Sequence, residues 1–380
     1  MPFYRSFGGE LSDINEIKER EKERKREIKK EGLIDFNLKM SRSWKGVKLH
    51  ELQLPQSHIS PEGKKLQEFI DIGMGKPMLV MIRHVYPGKH GGFGADMLVT
   101  SAMKSITTFN AMPRAVNFVV NNIKKRKHLS NPNATEEGTP VVFYTPALAE
   151  DNTILSFELM LDRIPGEIFD NLSKVFKSLS GIPIFASQSA GLFAGGIATD
   201  ILKRILRLIF NAKPVLKTSE NLYFNLGAAE TPDAGFYLVA EEKVEKEILK
   251  AYEFNEKGNL VLKKNHEVEY EGDEPYMVIS IDGREYGDEY KKFVPTAASA
   301  VLLEKFYNIG EGSAPSDILL EVASLYNDLK FKERSDNACK ALQGLDKGSD
   351  EYNKKKAEYD AYVANILNED IKKTVKKIKV

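Results

Sequence analysis

The chain has 380 residues, 42% of them hydrophobic and 29% charged, and its 55 basic residues are matched by 55 acidic ones. That is the composition of a globular protein, not a disordered or fibrous one. A zero net charge with no basic excess across the middle of the chain argues against nucleic acid as a partner. Cys339 is the single cysteine, which excludes an intramolecular disulfide and a multi-cysteine zinc site. The opening residues carry no secretory pattern, so a cytoplasmic protein is expected, and no motif calls for a cofactor.

In chain order, residues 10–31 include the unbroken charged run Lys18 to Glu27, with opposite signs at helical spacings such as Glu16 with Arg20. This predicts a solvated charged helix, followed by a mixed connector up to residue 75. Strand signals begin at Pro77–Tyr86 and continue at Met97–Ser101, Ala115–Val120, Pro140–Tyr144 and Thr153–Asp162. Turn residues separate these runs, and little helical sequence lies between them, which points to antiparallel pairing rather than a βαβ fold. Helical periodicity takes over near residue 166, with Ile168, Leu172, Val175 and Phe176 on one face. Strands return at 215–217, 222–224, 235–239 and 276–281, with a helix (241–252) and a hairpin expected between the last two. From Ala297 onward the pattern is helical.

Four features bear on chemistry. Ile182 to Leu192 reads as strand, tight turn and helix around Ser189, an arrangement similar to the nucleophile elbow of α/β-hydrolases, with Ser187 in place of its leading glycine. His266 is the only histidine after it, and it lies in a charged hairpin sequence. The histidines His50, His58, His84, His90, His128 and His266 show no metal-binding spacing, although His84 and His90 flank one loop. Gly91-Gly92-Phe93-Gly94 sits between two strands, where no helix N-terminus is available to cradle phosphate. The fourth feature is a segment without charge, 178–199, that leads into an amphipathic cationic sequence. Taken as a helix, 192–210 puts Leu192, Phe193 and Ile197 on an apolar side and Lys203, Arg204 and Arg207 opposite. That division suits an anionic membrane surface or a partner protein, and equally a helix packed on the body with its cations in water.

Val80 to Tyr86, a small-residue loop ending in Asp96, the strand Met97-Leu98-Val99 and the strand end Leu159-Met160-Leu161-Asp162 together resemble a C2-type β-sandwich over residues 77–165. The resemblance implies loops clustered at one end of the sandwich, with Asp96 and Asp162 at positions that hold calcium in that family. Calcium takes six to eight oxygens, and this chain has Lys89 and His90 where further acids are expected.

The sequence therefore predicts an α+β protein in three parts. A charged arm and connector (1–75) precede an antiparallel β-sandwich body (76–295) with a helical insertion (166–211), and a C-terminal helical region (296–380) follows. The expected function is a non-enzymatic binding or effector module that engages a protein partner or an anionic membrane surface. A serine hydrolase using Ser189 and a self-associating structural subunit are the alternatives.

Overall fold

The computed structural model describes residues 3–7, 10–13, 69–90, 95–104, 114–130, 132, 138–149, 152–166, 168–170, 173, 176, 184–186, 213–224, 232–240, 250–286 and 316–378. The fold is α+β with antiparallel sheets. A seven-stranded sheet runs β2(Glu10–Asp13), β1(Phe3–Phe7), β11(Gly235–Ala240), β15(Tyr276–Asp282), β3(Met78–Tyr86). The far edge of β3 then pairs with both β7(Val141–Thr145) and the two-residue β6(Leu129–Ser130). A five-stranded sheet runs β10(Leu216–Tyr223), β8(Asn152–Asp162), β4(Asp96–Lys104), β5(Arg114–Val120), β9(Ile184–Ala186). A small sheet is formed by β12(Tyr252–Phe254), β13(Leu260–Leu262) and β14(Asn265–Glu269).

One core joins the two larger sheets. Val80, Ile82, Tyr237, Val239, Met277 and Ile279 from the first meet Met97, Val99, Phe118, Leu155, Phe157 and Leu159 from the second. The β11 and β15 sequences are apolar on every residue or nearly so because both of their faces are buried. Alternate residues Phe236, Leu238, Tyr276 and Val278 turn the other way, into a second cluster with Leu260 and Tyr270 of the small-sheet segment. Strands buried on both faces lose the apolar–polar alternation that marks a half-exposed strand. β10 keeps it, alternating buried and exposed through its whole length.

Two bulges set where side chains point. Across β15 and β3, Ile279 pairs with Ile82 and Val278 with His84, so Arg83 is an extra residue on β3. Met78, Val80 and Ile82 face the main core, and so does Val85, while His84 and Tyr86 are thrown to the opposite face. A bulge shifts the two-residue period by one, and here it re-aims a histidine. Asn117 is the extra residue between β4 and β5. Fully buried, it accepts from Ser101 Oγ at 2.6 Å and donates to the Val141 carbonyl at 3.2 Å, which stitches one large sheet to the other.

The C-terminal helices are α1(Ser316–Leu342), α2(Asp350–Ala364) and α3(Glu369–Lys373). Phe331, Ala338, Ala361, Tyr362 and Ile366 pack on Ala147 and Ala149 beyond β7. Buried polar groups fix this docking. Thr145 Oγ1 donates to Asn365 Oδ1 at 2.7 Å, Asn365 Nδ2 donates to the Ala147 carbonyl at 2.6 Å, and Asp328 accepts the amides of Leu367 and Asn368 at 2.9 Å each.

The helix expected over 10–31 begins instead as strand. β1 and β2 form a hairpin, and β1 pairs with β11. Charge and helix propensity are local signals, and an open sheet edge more than two hundred residues away overrides them. The remainder of the expected N-terminal helix lies outside the described residues. Within the expected helical insertion, 184–186 is a strand paired with β5. The strands expected at 215–217 and 222–224 are one continuous strand, β10. No helix among the described residues is long and apolar enough to cross a membrane.

Candidate functional site

The sequence placed its candidates in two regions, and the structure bears on one of them. Ser189, Leu192, Phe193, Ile197, Lys203, Arg204 and Arg207 lie outside the described residues. Asp96 and Asp162 are direct cross-strand partners at the ends of β4 and β8. Asp96 is buried, and its two carboxylate oxygens accept the Asn122 and Ile164 amides, each at 2.8 Å. Those two bonds tie the loops after β5 and β8 to the start of β4, a structural use of the carboxylate. Asp162 is exposed and accepts the Arg163 amide. His266 pairs with Glu253 at 2.8 Å across the small sheet.

His84 does not meet His90, which is exposed. It meets His128, with His84 Nε2 2.9 Å from His128 Nδ1. His84 is fully buried, and the Arg83 bulge aims it at this contact. Around the pair, Tyr276 OH stands 3.1 Å from His84 Nε2, and Glu269 Oε2 stands 3.3 Å from His128 Nδ1. His84 Nδ1 lies 3.1 Å from Asn259 Oδ1 and 3.2 Å from Ser130 Oγ. Asn259 Nδ2 in turn donates to Glu269 Oε1 at 2.6 Å.

These contacts assign the protons. A carboxylate only accepts, so His128 carries its proton on Nδ1, shared between Glu269 and His84 Nε2. His84 then carries its proton on Nδ1 and donates it to Asn259 and Ser130. Both rings are neutral, and among the described residues His128 Nε2 is left buried without a hydrogen-bond partner. Burial and the neighbouring His128 pull the His84 pKa down to about 4. His128 is also lowered by burial, against the pull of Glu269. Burial raises Tyr276 well above the ordinary phenol value and pushes Tyr86 up to about 12. Tyr86, Tyr270 and Tyr276 wall the site, with Tyr270 edge-on to both of the others. Such pairs add about 0.5–1.5 kcal/mol each beyond area burial.

Immediately before His128 the chain carries Lys124-Lys125-Arg126-Lys127, all four exposed. The loop is clasped to its neighbour, with the Arg126 amide on the Gly88 carbonyl at 3.0 Å and the Lys89 amide on the Asp273 carbonyl at 3.1 Å. Gly88 has φ +61°, and a Cβ there would collide with the Asp273 carbonyl, so the close approach requires glycine. The Asp273 carboxylate bonds Arg126 at 2.9 Å and Lys89 at 3.4 Å, and the Arg126 contact, followed by Lys89, holds its pKa below the usual range. Five cations, Lys89 and residues 124–127, thus share one loop cluster with two exposed acids, Glu271 and Asp273.

Both features were missed in the sequence, for different reasons. The basic run was legible as four consecutive cations and was hidden by averaging charge over the whole chain. The histidine pair has no local spacing to reveal it. No family model, curated protein or solved structure matches this chain.

Proposed function

We propose that the protein is a non-enzymatic binding module whose large sheets form a C2-like sandwich, and that it docks on an anionic membrane surface from the cytoplasm. The exposed cluster of Lys89, Lys124, Lys125, Arg126 and Lys127 at one end of the sheets carries the reading. Cations close to an anionic bilayer contribute about 1 kcal/mol each, so several on one loop suffice for reversible attachment. Their clasp to Gly88 and Asp273 presents them as a preformed patch, which lowers the entropy lost on docking. The amphipathic sequence 192–210 supplies the apolar counterpart, with Leu192, Phe193 and Ile197 for the acyl boundary and Lys203, Arg204 and Arg207 for headgroups.

The test is flotation of the full chain with neutral and anionic vesicles. Anionic vesicles carry the wild type upward, neutral ones do not, and K124E/K125E/K127E weakens binding about 100-fold. Equal behaviour of wild type and triple variant removes the basic loop from the account. No flotation of the wild type on any vesicle refutes the membrane reading.

A further inference from the structure

We propose that His84, His128 and Glu269, with Tyr276 beside them, form a binding site for a divalent zinc-type metal ion. Zinc bound at about 2.0–2.1 Å by nitrogen and oxygen in a tetrahedron sets neighbouring ligand atoms about 3.3 Å apart. The structure holds its donors at that spacing: 2.9 Å from His84 Nε2 to His128 Nδ1, 3.3 Å from His128 Nδ1 to Glu269 Oε2, and 3.1 Å from His84 Nε2 to Tyr276 OH. One ligand atom from each of His84, His128 and Glu269 lies within 4.8 Å of the other two. Two imidazoles and a carboxylate, without thiolate, are a donor set that zinc takes readily. Tyr276 or a water completes the fourth position.

Two of the three ligands, His84 and Glu269, also have the outer shell of a metal site. Metal-bound histidine normally donates its other ring proton to a fixed acceptor. His84 Nδ1 has Asn259 Oδ1 and Ser130 Oγ in place, and Asn259 also holds the second oxygen of Glu269. One amide therefore orients two of the three ligands. Backbone geometry is committed to the same end, since only the Arg83 bulge turns His84 to this face. The ligands come from β3, the end of the basic loop, and β14, so an ion here clips the small sheet to the seven-stranded sheet and anchors residues 124–127. The site is partly open to solvent, with His128 16% and Glu269 30% exposed, which gives an ion an entry path.

The proposal does not depend on the membrane reading and is tested apart from it. Full-length protein is stripped with chelator and titrated with Zn²⁺ by calorimetry, and with Co²⁺ by absorption. The expected results are one ion per chain and a tetrahedral Co²⁺ spectrum without a thiolate band. In the H128A/E269Q double variant binding falls by at least about 100-fold, and in N259A by about 10-fold, while H266A binds as the wild type does. Circular dichroism verifies that each variant is folded. Absence of stoichiometric binding by the folded wild type overturns the proposal, and so does unchanged affinity in H128A/E269Q. Should that variant not fold, the wild-type Co²⁺ spectrum decides: a thiolate band assigns the ion to Cys339 and refutes the site.

Discussion

His84 Nε2 and His128 Nδ1 stand 2.9 Å apart, although 44 residues separate them in the chain. One belongs to a central strand and the other ends an exposed basic loop. Their contact links a buried polar cluster to an exposed basic loop.

Acid should destabilise the metal-free protein through His84. Its folded pKa is lowered to about 4 from an ordinary 6.5. Between those values the unfolded chain binds the proton and the folded one does not, so stability rises with pH. The contribution is complete above pH 6.5 and is lost as pH falls toward 4. At about 1.36 kcal/mol per unit, the full span is worth roughly 3 kcal/mol. Urea midpoints measured in chelator between pH 7.5 and 4.5 should fall steadily. A flat profile, or one unchanged by His84→Gln, would contradict the assignment of a buried neutral ring.

Gly88→Ala should cost about 1–3 kcal/mol, because φ +61° disfavours a side chain and the added Cβ meets the Asp273 carbonyl. It should also loosen the Arg126 clasp and weaken vesicle binding, although no cation is removed. Denaturation and flotation of the same variant separate the two effects. Lost stability with intact lipid binding would mean that the patch need not be preformed.

Asp328→Ala should release the C-terminal helices. The carboxylate is buried and accepts the Leu367 and Asn368 amides at 2.9 Å each. Both amides lose a bond to a charged acceptor, worth about 1.5–3 kcal/mol each. Hydrogen exchange should then quicken across α2 and α3 while β3, β11 and β15 stay protected. Uniform exchange at the wild-type rate would place the anchoring elsewhere.

Attachment to vesicles should be salt-sensitive in a way that separates its two proposed parts. Raising ionic strength from 0.15 to 1 M shortens the screening length from about 8 to about 3 Å and should remove the contribution of the basic loop. I201D/I205D should abolish the remaining binding if 192–210 enters the bilayer boundary. Unfolding of that variant would instead identify the segment as packed core.

The central strands and the C-terminal helices were readable in the sequence because their signals are local. β3, β4, β5, β7 and β8 lie within a few residues of the apolar runs that predict them, and α1 and α2 fall inside the region read as helical. β1 and β2 were not readable, since strands of five and four residues exist only through their register with β11 and with each other. The same limit applies to the candidate site. Composition alone excluded a disulfide and a multi-cysteine zinc site, and the four cations at 124–127 stand in plain sequence. Nothing along the chain, however, ties residue 84 to 128, 259, 269 and 276. Only tertiary structure brought them together, because side-chain direction in β3 depends on a single-residue bulge and each partner comes from a different strand or loop. Pairing across a sheet is a non-local choice, and a one-residue shift in it decides which face a histidine occupies.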